Sequence, residues 1–245
     1  MIPVTDIPAT TVARLVPREQ LSPGELEKMC DLLNVFFEGV SREQFHRDIA
    51  EKNWVLLLER AERVVGFSTI LVYETRLENQ PCSVVYSGDT IVAPEAWNSS
   101  ALPRAWIESV ARLRTYYPHG PYLWLLIASG FRTYRFLPLF WREFFPRFDR
   151  ETPPHWKRAM DQLAGERFGS RYDPAVGRVR FESPQRLRDA HAGIPPGRLS
   201  DPHIAFFAAR NPGHGAGDEL VCLTELSPRN LTAAGRRAAA AVPEW

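Results

Sequence analysis

The sequence predicts a mixed α/β (α+β) fold in which a twisted, mostly antiparallel sheet is flanked by helices. Segments rich in β-branched and aromatic residues alternate with segments that repeat apolar residues every three or four positions. Three strand-like segments in residues 54–92 follow one another without a helix, which indicates an antiparallel meander. The 245 residues are 44% hydrophobic, which is enough to bury the core of a single domain spanning residues 1–245.

The elements of the N-terminal half carry clear start signals. Apolar and polar side chains alternate over residues 13–16, which predicts a first strand. Ser22, Pro23 and Glu25 form a capping box with proline in the first turn, so a helix begins there. Ser41 opens a second, shorter helix in the same way. The meander then consists of three segments, which are residues 54–58, 64–73 and 83–92.

A helix and a strand follow the meander. Pro103 fits only the first turn of a helix, because it has no amide proton. Residues 106–113 place apolar side chains on one face of that helix, and residues 122–128 are a strongly apolar strand. The segment therefore reads as a crossover between parallel strands. Residues 131–145 have a helical pattern that is apolar nearly all round, and Pro138 should kink it.

The last third of the chain is less regular. We interpret residues 150–200 as a helical insertion, with helices over residues 155–168 and 184–191. Residues 203–209 and 220–226 are predicted as a C-terminal hairpin around a glycine-rich loop. Residues 228–245 are a tail with a terminal helix over residues 230–241.

Composition narrows the function classes. A net charge of +1 argues against broad nucleic-acid binding, which needs a strong basic field. Cys30, Cys82 and Cys222 are far apart, which is typical of free thiols in a reducing compartment. The N-terminus lacks the features of a signal peptide, and no apolar run is long enough to cross a membrane. The six histidines are scattered and predict no metal site. We expect a cytoplasmic monomer or homodimer.

Three short segments resemble the GNAT acyltransferase superfamily. Residues 54–59 (WVLLLE) and 64–68 (VVGFS) resemble the second and third strands of that family, and residues 91–95 (IVAPE) resemble the strand end before its cofactor loop. The resemblance covers about residues 12–148. It implies transfer of an acyl group from acetyl-CoA, a longer acyl-CoA or a phosphopantetheine-bound carrier to an amine of a small molecule or peptide.

The cofactor loop departs from the family pattern because residues 97–102 (WNSSAL) contain no glycine. In the family, backbone amides at the following helix N-terminus face the pyrophosphate of coenzyme A. Small side chains and hydroxyls could take over that role. Alternatively, Asn98, Ser99 and Ser100 simply cap the helix. The resemblance implies the following donor-binding residues: Ile91, Val92, Trp97, Asn98, Ser99, Ser100, Ala101, Ser129 and Arg132.

Asp89 is the strongest catalytic candidate, because it is a carboxylate within an apolar strand. Burial would raise its pKa and suit it to accept a proton or to hold a cationic amine, although it could also be a structural partner of an arginine. Gly88 beside it indicates a bulge or a close backbone approach. Tyr86 lies in the same strand. By the resemblance, Tyr134 corresponds to a tyrosine that protonates the leaving thiolate, or it is a packing residue.

The acyl length and the class of protein stay open at this point. The aromatic segment over residues 131–145 is either covered by the insertion or forms a pocket for a long fatty acyl chain. The default is a small acyl group. Two alternatives remain, a non-catalytic GNAT-fold ligand-binding module and an autoinducer-synthase-like N-acyltransferase that docks an acyl-carrier protein.

Overall fold

The computed structural model describes residues 10–96, 100–188 and 193–242. Its strands, in chain order, are β1 (Val12–Pro17), β2 (Phe37–Glu38), β3 (Trp54–Arg60), β4 (Arg63–Leu77), β5 (Gln80–Val92), β6 (Tyr122–Ala128), β7 (Phe144–Phe145), β8 (Tyr172–Asp173), β9 (Arg178–Val179), β10 (Arg186–Leu187) and β11 (Glu219–Glu225). Its helices are α1 (Pro23–Phe36), α2 (Arg42–Ala50), α3 (Ala101–Leu113), α4 (Phe131–Tyr134), α5 (Phe136–Phe140), α6 (Pro154–Phe168), α7 (Pro202–Arg210) and α8 (Ala233–Ala238).

One large sheet runs in the order β1-β3-β4-β5-β6-β11-β9-β8, and β7 also pairs with β11. The strands β3, β4 and β5 form the predicted antiparallel meander, and β5 pairs with β6 in parallel across the α3 crossover. Most neighbouring pairs are antiparallel. The predicted capping signals are confirmed. Ser22 and Glu25 form a reciprocal capping box at α1, and the Ser41 hydroxyl accepts from the Gln44 amide at α2.

Side chains alternate between two faces of this sheet. On β6, Trp124 and Leu126 join one apolar cluster, whereas Leu125 and Ile127 join another on the opposite side. The first side, the α3 face, is covered by α3, α4, α5, α7 and α8. The second side, the α2 face, is covered by α1 and α2 at one end and by α6 at the other. These two groups of helices pack in separate clusters on the α2 face.

The prediction of a strand over residues 203–209 is wrong, because α7 occupies that segment. The Asp201 carboxylate accepts from the His203 amide, and Pro202 occupies the first helical position. Ile204 and Phe207, three residues apart, bury one face of the helix. There is consequently no C-terminal hairpin in this part of the chain, and β11 pairs with β6 instead.

Two predicted helices also differ. The segment over residues 131–145 breaks into α4, α5 and β7. Pro138 lies in the first turn of α5, where no amide donor is needed, so it starts a new helix instead of kinking a long one. In the predicted helix over residues 184–191, the described part contains β10, which pairs with β2. Residues 189–192 lie outside the described part.

The segment over residues 150–200 contributes to the main sheet and to its α2 face. Its helix α6 packs Met160, Leu163 and Phe168 on that face. Its strands β8 and β9 extend the sheet beyond β11. The terminal helix α8 is shorter than the predicted one, and it packs on the α3 face through its alanines.

Candidate active site

The parallel strands β5 and β6 separate near their C-terminal ends. Their pairing begins at Ser83 and Tyr122 and ends at Ser87 and Leu126. Beyond this register β5 continues to Val92 along β4, while β6 continues along β11. This separation opens a gap in the middle of the sheet.

A β-bulge sits directly at the gap. Ser68 pairs with Thr90 and Ile70 pairs with Ser87, so Thr69 on β4 faces two residues, Gly88 and Asp89, on β5. The extra residue bends the strand and changes the direction of its side chains. The prediction that Gly88 marks a bulge is confirmed.

The glycine is required by close packing at the bulge. A Cβ atom at Gly88 would lie 2.6 Å from the Thr69 Oγ1 atom and 2.8 Å from the Lys52 Cε atom. Neither distance leaves room for a methyl group. The bulge and the adjacent lysine thus fix the position from which Asp89 enters the gap.

A cavity of about 450 Å³ occupies the gap and reaches both faces of the sheet. On the α3 face its walls are largely apolar. This apolar limb is formed by Leu102, Trp106, Trp124, Leu126, Phe131, Arg132, Thr133 and Phe136. On the α2 face its walls carry charges. This charged limb contains Asp48, Glu51, Lys52, Asp89, Arg167, Arg171 and Glu219, with Phe36, Tyr86, Phe168 and Phe181 between them.

The carboxyl group of Asp89 is half-buried and titrates near neutrality. Burial raises its pKa to about 6, and the positive charge of Lys52 partly opposes the rise. Above pH 6 the group is therefore mainly ionised yet basic enough to accept a proton. This combination is typical of a general base.

Glu219 brings a second carboxyl group into the charged limb. Burial and the charge of Asp89 raise its pKa to about 8, so it is mainly neutral at pH 7. No donor among the described residues hydrogen-bonds to its carboxyl group. Sequence reasoning missed Glu219, because a charged residue at the start of a strand usually lies in solvent.

Lys52 and Arg167 share one aromatic ring. The Lys52 Nζ atom lies 5.5 Å from the centroid of the Tyr86 ring, and the Arg167 Cζ atom lies 4.9 Å from it. Burial lowers the pKa of Lys52 and raises that of Tyr86. The Arg167 guanidinium forms an ion pair with Glu51. The sequence offered no signal for this group, since its members come from the segment after α2, from β5 and from α6.

Most of the predicted site residues meet at the cavity. Its walls include Tyr86, Asp89, Ile91, Val92, Ser129 and Arg132. Ser100 and Ala101 lie at the N-terminus of α3, next to the cavity-lining Leu102. The Ser100 side chain makes no capping hydrogen bond. Trp97, Asn98 and Ser99 fall outside the described residues.

Tyr134 is the exception among the candidates. It is fully buried, and its hydroxyl donates to the Pro146 carbonyl at 3.0 Å. Its ring packs against Phe207 on the α3 face, and it does not line the cavity. This geometry gives the hydroxyl no access to a thiolate in the cavity.

The described ranges contain neither a cluster of metal ligands nor a helix that could span a membrane. In residues 10–96, 100–188 and 193–242, no three His, Cys, Asp or Glu side chains are grouped as a metal site would require. Across the same ranges, every helix is too short or too polar to span a membrane.

No family model and no curated protein matches the sequence. Among solved structures, the chain is similar to a probable N-acyltransferase from Enterococcus faecalis V583, with 15% identity over 51% of this chain and 31% of that chain, and a TM-score of 0.41. The match thus spans under a third of that protein.

Two Escherichia coli structures are also similar. One is the GNAT family N-acetyltransferase YhbS in complex with CoA, at 15% identity over 54% of this chain and 70% of that chain, with a TM-score of 0.39. The other is ElaA, at 15% identity over 59% and 95% of the two chains, with a TM-score of 0.38. These scores are too low to bear on activity. The meander, the α3 crossover and the parting of β5 from β6 make the fold GNAT-like.

Proposed function

We propose that the protein is an acyltransferase that moves an acyl group from a thioester onto an amine. The observation that carries this proposal is the position of Asp89. Its carboxyl group, with a pKa of about 6, lies in the gap between β5 and β6, where the apolar and charged limbs meet. A thioester entering by one limb and an amine entering by the other would meet beside this base.

The apolar limb suits the pantetheine arm of the donor. Its walls come from α3, β6, α4 and α5, and its outer end lies beside the α3 N-terminus at Ser100 and Ala101. A helix N-terminus favours phosphate groups through its dipole and its unpaired amides. Arg132, an exposed cation on the wall, would add charge. Both acyl-CoA and an acyl-carrier protein present such an arm.

The transfer itself needs two proton movements. The amine nitrogen forms a bond to the thioester carbonyl carbon, and the carbon–sulfur bond breaks. Asp89 takes the proton from the attacking amine, and in this proposal Tyr86 protonates the leaving thiolate before solvent restores its proton. Tyr86 is the phenol that lines the charged limb, and a phenol holds its proton at neutral pH.

We further propose a short acyl group. A long acyl chain would extend from the thioester into the charged limb, where Lys52, Arg167 and Glu219 line the wall. Burying methylene groups against these charges would desolvate them without compensation. We expect acetyl-CoA to be used more efficiently than palmitoyl-CoA. A higher kcat/KM with palmitoyl-CoA would contradict this part of the proposal and favour a fatty acyl donor.

Replacement of the base tests the proposal. In Asp89→Asn, thioester consumption with the best of a panel of amines should fall by about a hundredfold to ten-thousandfold, while the melting temperature and CoA binding are retained. Asp31→Asn, an exposed aspartate on α1, is the matched control and should keep the wild-type rate. Donor binding with no turnover of any amine would instead support a non-catalytic binding module.

A further inference from the structure

The charged limb holds three cations, Lys52, Arg167 and Arg171, that take no part in the proposed proton transfers, and the first two converge on one ring. Lys52 follows the end of α2, and Arg167 lies in the last turn of α6. They are 115 positions apart in the chain, yet both line the cavity beside Tyr86. Like charges that converge on one side of a cavity repel each other unless an anion lies between them.

Lys52 has spare hydrogen-bonding capacity. The residue is only 6% exposed, and its Nζ atom donates to the Asp48 carbonyl at 2.9 Å. No other described residue accepts a hydrogen bond from this ammonium group, which has three protons to donate. A buried cation with one hydrogen bond is costly unless a ligand completes its shell.

The guanidinium group of Arg167 also has unfilled hydrogen-bonding capacity. Its Nη2 atom donates to Glu51, but its Nε atom is buried without a hydrogen-bond partner among the described residues. The free edge of a guanidinium group is suited to bind a carboxylate or a phosphate oxygen.

The acidic groups of the limb do not fill this role. Glu51 is already paired with Arg167, and the Asp48 carboxylate accepts from the side-chain amide of Gln44 at 2.6 Å. Glu219 is mainly neutral at pH 7. Asp89 is the remaining anion, and no ion pair joins it to Lys52, although both residues are described. The limb therefore presents an anionic side at Asp89 and a cationic side at Lys52 and Arg167.

We propose that the acceptor is an amine that carries its own anionic group, such as an α-amino acid. Its amine would lie at Asp89, and its anion would bind Lys52 and Arg167. This inference rests on the proposed acyl transfer and specifies its acceptor. The three phenylalanines of the limb, Phe36, Phe168 and Phe181, favour an acceptor with an apolar side chain.

Paired acceptors test the inference directly. Acetyl transfer is compared for L-phenylalanine against 2-phenylethylamine and for L-leucine against 3-methylbutylamine, each pair differing by the carboxylate. Acetyl transfer to β-alanine is also compared with transfer to 2-aminoethylphosphonate, which distinguishes a preference for a carboxylate from one for a phosphonate. The wild-type protein should favour the anionic member of the first two pairs by at least tenfold in kcat/KM.

Two substitutions locate the source of the preference. Lys52→Met keeps the apolar stem and should reduce the preference to below threefold, whereas Lys52→Arg should retain part of it. Lys28→Met removes an exposed lysine from α1 and is the matched control, which should keep the full preference. An equal or higher kcat/KM for the uncharged amines in the wild-type protein would overturn the inference. A preference that survives in a folded Lys52→Met protein would do the same.

A binding measurement keeps the inference separate from the proposed function. If none of the amines is acetylated, the melting temperature is measured with each member of a pair, in the presence and absence of CoA. A larger rise with the anionic member, lost in Lys52→Met, supports the anion subsite even where transfer fails. Equal shifts for both members overturn it. Failure of the acyltransfer proposal is recognised differently, by the absence of CoA binding and of thioester consumption with every amine.

Discussion

Ser87 and Leu126 form the last register between β5 and β6, and beyond them the two parallel strands separate. The bulge at Gly88 and Asp89 follows immediately on β5. The point where the sheet opens is thus also the point where a carboxylate is directed into the opening. The separation of the strands and the placement of this carboxylate thus coincide at one local irregularity.

The pH dependence of the transfer should report the titration of Asp89. A base acts when deprotonated, and burial raises the pKa of Asp89 from 3.8 to about 6, so activity should be lost as the pH falls below 6. We expect kcat/KM to decrease about tenfold per pH unit below 6. The charges of Lys52 and Asp48 act on the same group.

Two controls isolate that titration. The acceptor amine also loses activity at low pH, so the profile is measured with two amines of different basicity. A fall in kcat/KM that is centred near pH 6 for both amines, and that is absent in Asp89→Asn, belongs to the enzyme. A fall in kcat/KM whose midpoint simply follows the pKa of the amine would remove Asp89 from the mechanism.

Gly88→Ala should damage both stability and transfer. The new methyl group would meet Thr69 and Lys52 at under 3 Å, so the bulge must move. We expect a loss of about 1–3 kcal/mol in the free energy of unfolding, measured by denaturant titration, together with reduced turnover. Gly165→Ala in α6 meets nothing within 4 Å and is the control, which should be neutral or slightly stabilising. A fully active, fully stable Gly88→Ala protein would show that the bulge has no such constraint.

Glu219→Gln should stabilise the protein, and by an amount that depends on pH. The pKa of Glu219 is about 8 in the folded protein and 4.5 as its reference value. Between these values the unfolded chain has lost the proton that the folded protein keeps, so wild-type stability falls as the pH rises from 4.5 to 8.

The variant lacks this dependence. Its advantage should be absent near pH 4 and reach about 2 kcal/mol at pH 8, less than the full shift would give because the side chain is only half-buried. Melting curves of both proteins across this range provide the measurement. A difference in stability that is the same at every pH would show that burial in the cavity does not raise the pKa of Glu219.

The two tyrosines named from the sequence should behave differently. Tyr134→Phe removes a buried hydrogen bond to Pro146, which should cost about 1 kcal/mol of stability and change kcat by less than about threefold. Tyr86→Phe should lower kcat by at least tenfold, because Tyr86 lines the cavity. Steady-state rates with one donor and one acceptor compare them. The reverse ranking would return the role of proton donor to Tyr134.

Local signals predicted much of this fold. The caps at Ser22 and Ser41 act within one helical turn, so the sequence contains them in full. The apolar run over residues 203–209 suits a strand as well as a buried helix. Asp201 and Pro202 decide between the two, because they are a helix start signal.

The site was predictable only in part. Asp89 and Gly88 are adjacent in the chain and stand out within an apolar strand, so an irregularity at this point of the strand could be inferred. Lys52 comes from the segment after α2, Arg167 from α6 and Glu219 from β11, and only the packing of those parts of the chain brings them to one cavity. No periodicity in one segment encodes a contact with another, which is why these three were missed.

Calorimetric titration with CoA tests most directly whether the gap between β5 and β6 holds the donor. Wild-type protein should bind CoA with a micromolar dissociation constant. Thr133→Trp, which fills the apolar limb, should weaken binding at least tenfold, whereas Thr115→Trp, at an exposed position outside the cavity, should not. Undetectable CoA binding in the wild-type protein, or equal affinity in Thr133→Trp, would contradict this account of the site.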